Sequence, residues 1–336
     1  MSYILEDSAR AVSEDSISRR QCFACGGPPS SGRGEHVVPQ WLQRLFKLAN
    51  QRLTLINQSL IQYRHLTVPC CVDCNTGFLS RIESAVQPIF RHGELQSITE
   101  KMVVGRWLAK ILIGLLVKET SLLFDRARPE SGPIVSSEFI EELHHCHFLM
   151  QSARKPTVFQ CLHGDLPFSL YHFKIADGGE DCFDLSTNIF GQSVAVMAGQ
   201  LGVCFVSDGG LQMEVGPLGP FNLAGSTVSR TQFRELAARV HYKAALRDAT
   251  HFYLTAESPE ALQVDQVRVA PYSRGFLPGT EEVRIFRDWN DEEFSYALAN
   301  ALRTTRSALL DEATGRCGTT LFDKEGNLAV VSVQGR

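Results

Sequence analysis

Apolar residues recur at helical spacing in several places along the first half of the chain. Trp41, Leu42, Leu45 and Phe46 predict a short helix over 40–50. Leu79, Ile82, Ala85, Val86, Ile89 and Phe90 form one stripe, which predicts an amphipathic helix over 78–92 with Asn75 or Thr76 as its cap. Residues 99–124 are apolar nearly all round, so they predict a buried helix, and 136–152 also fit a helix. From Thr157 the rhythm changes. Short apolar runs at 158–162, 169–175, 193–198, 203–207, 250–256 and 263–269 predict strands between glycine turns. Helices are expected at 229–247, capped by Thr231 and buried along Phe233, Leu236, Val240 and Ala244, and at 288–312, begun by Asn290 or Asp291. Lys324-Glu325-Gly326-Asn327 marks a hairpin turn. Pro129, Gly132 and Pro133 mark a boundary. The pattern thus predicts a lead-in over 1–20, a first module over 21–128 and a separate α+β domain over 134–336.

Composition changes this picture in one respect. The 336 residues are 44% hydrophobic and 21% charged, values of an ordinary globular chain with enough length for about two domains. The net charge of −4 excludes a protein that coats nucleic acid by bulk positive charge. That charge is divided: residues 1–128 carry 16 Lys/Arg against 11 Asp/Glu, and the rest carry 17 against 26. Only the first part has the sign to approach a polyanion. The polar lead-in lacks the apolar core of a signal peptide, and Met102–Val117 is short and carries Arg106 and Lys110. A cytoplasmic protein without a membrane partner is therefore expected.

The cysteines bring in chemistry. Five of the ten fall between Cys22 and Cys74. Cys22-x-x-Cys25 and Cys71-x-x-Cys74 predict a four-sulfur structural zinc site, because two intervening residues let both thiols of a pair face one ion. Cys70 competes with Cys71 for the third place. Cys146, Cys161, Cys182, Cys204 and Cys317 stand singly and fit small buried residues. His144-His145-Cys146-His147 is dense in ligand types, but fits the surface of a helix.

Between and after the knuckles stand Glu35-His36-Val37-Val38-Pro39 and Cys74-Asn75-Thr76-Gly77-Phe78-Leu79-Ser80-Arg81-Ile82-Glu83, followed by Arg106-Trp107-Leu108-Ala109-Lys110. On these residues, roughly 20–125, the chain resembles the HNH endonuclease family of the ββα-metal (His-Me finger) type. No family suggests itself for the remainder. The resemblance implies a zinc-stapled ββα-metal nuclease module with a helical pair, ahead of the α+β domain. It implies His36 as the general base, whose neutral imidazole suits that task near neutral pH. It implies Glu35 and Asn75 as ligands of one catalytic Mg²⁺ or Mn²⁺, hard cations that prefer oxygen donors. DNA is the implied substrate, and defence against foreign DNA the implied setting.

The chain departs from the family's pattern. Leu66 stands where the family has its middle asparagine, with His65 and Thr67 beside it as alternatives. Leu79 stands where some members have a further ligand, and Glu83 one turn on is the candidate replacement. Arg33, Arg44, Lys47, Arg52, Arg64 and Arg81 are candidate phosphate contacts. The competing expectation is a non-catalytic zinc module that binds nucleic acid or protein. Residues 134–336 would serve self-association or hold a small-molecule or protein regulator.

Overall fold

The structure is a computed structural model that describes residues 21–30, 32, 34–136, 139, 143–161, 164–179, 181–211, 223, 225–271, 285–323 and 328–329. It is mixed α+β. The lead-in 1–20, Arg33, part of the helix expected over 136–152 and the turn residues 324–327 lie outside the described residues. Phe322 and Leu328, on either side of that turn, form an antiparallel bridge.

Contacts divide the chain into two compact units. One is Met1–Ile89 with Thr99–Val158 and Leu254–Val264; the other is Phe90–Ile98 with Phe159–Tyr253 and Asp265–Arg336. The division does not fall at the proline-rich segment 128–133. There the chain closes a turn on itself, with Leu123 bridging Pro133 and hydrogen bonds from Phe124 N to Gly132 O and from Ile134 N to Leu122 O. The helix that follows stays with the first unit.

In the first unit, β1 (Glu35–His36) leads into helix α1 (Gln40–Leu45). A hairpin of β2 (Arg52–Thr54) and β3 (Leu60–Gln62) precedes β4 (Thr67–Val68). Strand β4 returns antiparallel to β1, pairing Glu35 with Val68 and His36 with Thr67. Gly34 makes this approach possible: its φ is +76°, and a Cβ there would sit 2.3 Å from the Val68 carbonyl oxygen. A helical run then opens at Val72 and becomes α2 (Ser80–His92). Its stripe is buried at Leu79, Ile82, Val86, Ile89 and Phe90, while Ala85 stays exposed. Helix α3 (Ile98–Thr120) is buried nearly all round, as its pattern predicts. Gly114 lets it close on the segment after β1, since a Cβ there would lie 3.0 Å from Val37 Cγ2. Helix α4 (His144–Gln151) completes the described helices of this unit.

The strands β5 (Thr157–Gln160), β6 (Ser169–Ile175), β7 (Phe183–Asn188), β8 (Ser193–Ala198), β9 (Leu201–Val206) and β10 (Thr227–Val228) follow. Five of them form the sheet of the second unit, in the order β10-β6-β9-β8-β7. Pairing is antiparallel except between β10 and β6. Helix α5 (Arg230–Ala245) lies on this sheet. Its residues Phe233, Leu236, Ala237, Val240 and Ala244 share one core with Tyr171, Phe173, Ile175, Ala195, Met197 and Val206. Gly202 makes room for Phe233, whose ring would otherwise stand 2.4 Å from a Cβ. Strands β11 (Ala249–Glu257) and β12 (Leu262–Pro271) and helix α6 (Asp291–Leu302) come next, then a hairpin of β13 (Leu310–Asp311) and β14 (Arg316–Cys317).

Four expectations need correction. Ser229, not Thr231, caps α5: its hydroxyl accepts from Gln232 N while the Gln232 side chain accepts from Ser229 N. Helix α6 starts at the Asn290 cap but stops at Leu302, because Arg303 turns into the left-handed region (φ 53°, ψ 46°). Strand β7 escaped the pattern, since only Phe183 and Leu185 of Phe-Asp-Leu-Ser-Thr-Asn are apolar on this edge strand. Among the single cysteines, Cys146, Cys182 and Cys204 are buried, but Cys161 and Cys317 are only half-buried. No helix among the described residues is long and apolar enough to cross a membrane.

Two predictions follow from local energetics. Ser229→Ala removes half of a reciprocal cap and should destabilise the protein by about 1 kcal/mol, whereas Thr231→Ala on the exposed side should stay within about 0.5 kcal/mol. Urea unfolding curves of the two variants check this. Glu119, buried on α3, accepts a hydrogen bond from Ile56 N, and burial pushes its pKa up to about 7. The unfolded chain ionises this carboxyl first, so the penalty for burying it grows from about pH 4.5 and is complete above about pH 7. Glu119→Gln keeps the acceptor, so it should stabilise by about 2–3 kcal/mol at pH 8 and by little at pH 4.5. Equal shifts at both pH values would contradict the assignment.

Candidate functional site

The first knuckle is a tight turn. Cys22 N donates to Gly27 O, and Gly26 N donates back to Cys22 O, with Gly26 at φ 69°. Phe23 N bonds to Pro69 O and Ser30 N to Cys70 O, which brings the second cysteine pair alongside. The sulfurs of Cys22, Cys25, Cys71 and Cys74 all lie within 4.8 Å of one another, and those of Cys25 and Cys71 are 3.7 Å apart. A tetrahedral zinc with Zn–S bonds of about 2.3 Å needs sulfurs about 3.8 Å apart. The four cysteines can therefore hold one metal ion, and the set is compatible with zinc. Cys70 Sγ approaches Cys22 Sγ at 3.8 Å but is not part of the mutually close four.

Crowding decides the protonation of these thiols. Hydrogen bonding from Cys25, followed by that from Cys70 and Cys74, pulls the Cys22 pKa far down. Hydrogen bonding to Cys22 pushes Cys25, Cys70 and Cys74 up in turn. One thiolate is accommodated at the expense of its neighbours. A cation at the centre removes that conflict, because it binds every ligand as thiolate.

The cluster is held from outside by helix α4 and the turn that follows it. Arg154 donates to Cys74 Sγ at 2.9 Å, and its guanidinium lies over the Phe78 ring, 4.3 Å from the centroid. His147 Nε2 meets Phe23 O at 3.1 Å, and Gln151 donates to Ala24 O. His147 is therefore a buried brace of the knuckle rather than a surface residue of α4, and burial lowers its pKa to about 4. His144 is exposed, as expected.

Beside the cluster lies a cleft of about 210 Å³ lined by Glu35, Asn75, Thr76, Ser80 and Glu83. Glu35 comes from β1; the others come from the helical run that Cys71 opens. Cys71, not Asn75 or Thr76, caps that run, its sulfur accepting from Cys74 N. Thr76 Oγ1 is spent on Val72 O. Asn75 lines the cleft, at a wider turn over Asn75–Leu79 where Gly77 breaks from helical angles (ψ −113°).

Lys110 of α3 pairs with both carboxylates that line the cleft. Its Nζ lies 2.5 Å from both Glu35 Oε1 and Glu83 Oε1, and donates to His36 O at 2.9 Å. The side chain is 1% exposed. Burial alone would lower its pKa, but Glu83 and then Glu35 outweigh this and raise it. Burial, against the pull of Lys110, raises the pKa of Glu83. In the sequence Lys110 stands as a charge within a largely apolar helix; its role as the shared cation of two carboxylates comes from the fold.

His36 follows Glu35 on β1, so its side chain leaves the strand on the opposite face. It is not among the residues lining the cleft. Its Nδ1 lies 3.4 Å from Gln43 Nε2, and Gln43 Nε2 also donates to Val38 O at 2.7 Å. Gln43 Nε2 thus faces Nδ1 as a donor, and the contact is a hydrogen bond where that nitrogen is unprotonated. Thr67 stands across from His36 in the strand register. His65 is exposed and paired with Arg64 Nε at 3.2 Å. Arg44, Lys47, Arg52, Arg64 and Arg81 are all exposed.

Cys71→Ser should abolish tight metal retention, whereas Cys70→Ser should keep one ion per chain; metal analysis after gel filtration distinguishes them. Lys110→Met leaves the buried Glu35 and the half-buried Glu83 unpaired and should cost about 3 kcal/mol at pH 8, read from denaturant midpoints. An unchanged midpoint would contradict the shared-cation arrangement.

Compared with family models, curated proteins and solved structures, the chain matches none.

Proposed function

We propose that the chain is a metal-dependent endonuclease of the HNH type, hydrolysing phosphodiester bonds in DNA, with zinc held by Cys22, Cys25, Cys71 and Cys74. The observation that carries the reading is the convergence of Glu35, Asn75 and Glu83 on one cleft between a two-stranded ribbon and the helical run after the second knuckle. Two carboxylates and an amide oxygen are a donor set suited to Mg²⁺ or Mn²⁺.

In this reading Glu35 and Asn75 would hold the divalent ion and Glu83 would supply a third oxygen. Bound there, the ion would act as a Lewis acid toward the scissile phosphate and the departing oxygen. His36 would take the proton from the attacking water. Lys110 holds Glu35 and Glu83 together against their mutual repulsion.

Lys110 also favours a second reading. An ammonium already paired with both carboxylates makes a self-contained ion cluster, as in a non-catalytic zinc module that binds nucleic acid or protein. Purified protein incubated with supercoiled plasmid and Mg²⁺ or Mn²⁺ separates the two. The nuclease reading predicts nicking that falls at least about 100-fold in His36→Ala and in Asn75→Ala, with zinc content and circular dichroism unchanged. A wild-type protein that retains plasmid in a gel without cutting it supports the binding module instead. Full cleavage by His36→Ala overturns the base assignment.

A further inference from the structure

A second cavity lies wholly within the unit that carries the five-stranded sheet. Its volume is about 360 Å³, within the range of small-molecule sites. Edge strand β7 forms one wall, and helices α5 and α6 form the others. The helices remain packed through Ala238, Phe294 and Leu298. Beside that contact they present Ala237 and Ala238 on α5 and Ala297 and Ala301 on α6. Larger residues at these positions would fill the hollow.

The polar groups around it divide into those already satisfied and those left over. Arg234 is paired with Asp184 at 2.7 Å. His241 meets Ser186 Oγ at Nε2 (3.0 Å) and Ser193 Oγ at Nδ1 (2.7 Å). Burial lowers its pKa to about 4, so it adds no charge at neutral pH. Arg303 and Asn300 also line the cavity; both are exposed to solvent, and among the described residues their side chains have no hydrogen bond or ion pair within the protein. With Asp184 and Arg234 cancelling, Arg303 gives the lining a net charge of one positive unit. Arg303 also sits at φ 53°, ψ 46°, the left-handed region that ends α6. Glycine or asparagine is the ordinary occupant of such a turn, because an L side chain is strained there. The position keeps an arginine despite that strain.

The geometry points to a binding site for a small organic anion, its carboxylate or phosphate head held by Arg303 and Asn300 and its apolar ring lying against the alanine walls. This site shares no residue with the carboxylate cleft, and its test does not depend on nuclease activity. Neutral polar groups alone would not select an anion; the unpaired guanidinium does.

Isothermal titration of the full zinc-loaded chain tests it with two acids and their uncharged counterparts: benzoate against benzamide, and adenosine monophosphate against adenosine. At least one acid should bind about tenfold or more tightly than its counterpart, the weight of one charge-assisted contact. The pair that shows this tells carboxylate from phosphate. Arg303→Gly is the discriminating variant. Glycine suits the left-handed turn, so the melting temperature should hold or rise while affinity for the acid falls at least about tenfold. Ala301→Leu, which fills the hollow, should lose binding of the acid with circular dichroism unchanged. The proposal is overturned if neither acid binds, if the uncharged counterparts bind equally well, or if Arg303→Gly binds as the parent does.

Discussion

Sulfur atoms packed as closely as those of Cys22, Cys25, Cys71 and Cys74 cannot all be ionised unless a cation stands among them. That constraint governs the first unit. Its sheet elements near the cluster are two or three residues long, and helix α1 has only six. Such short pieces bury little apolar surface of their own and pair weakly. A metal ion held by the four sulfurs would add to their stability, since its binding free energy becomes folding free energy. The hydrogen bonds from Phe23 to Pro69 and from Ser30 to Cys70 cross between the two knuckles.

The pinning has a consequence for the neighbouring cleft. Because Cys71 caps the helical run, Asn75 is released from capping and lines the cleft with Glu35 and Glu83. Lys110 then gathers both carboxylates around one ammonium. Glu35 is thus tied to the cleft, while its neighbour His36 emerges on the other face of β1 beside Gln43. On the nuclease reading, strand alternation separates the ion-holding group from the proton acceptor. On the binding reading, the same ion cluster is a second staple beneath the metal centre. Both readings give Lys110 the same structural weight.

The sequence made much of this legible. Helices α2, α3 and α5, and strands β6 and β8, fall where apolar periodicity predicts them, because each buries a continuous stripe or run. The four-cysteine grouping follows from the spacing within each pair. What stayed hidden depends on distant contacts or on backbone angles. Edge strand β7 has a polar outer face, so its alternation is faint. Arg303 ends α6 through a left-handed angle that no residue preference announces. Arg154, His147 and Gln151 brace the knuckle from more than a hundred positions away for two of the three contacts. Lys110 looks like one more residue of an apolar helix until Glu35 and Glu83 are seen against it. Glu83 is a candidate from its position alone, and its pairing with Lys110 comes from the fold.

Zinc K-edge X-ray absorption of the purified chain tests the central constraint most directly. The account predicts a first shell of four sulfurs at about 2.3 Å, unchanged when Cys70 is replaced by serine. A shell containing nitrogen or oxygen donors, or a folded protein holding no zinc at all, would contradict it.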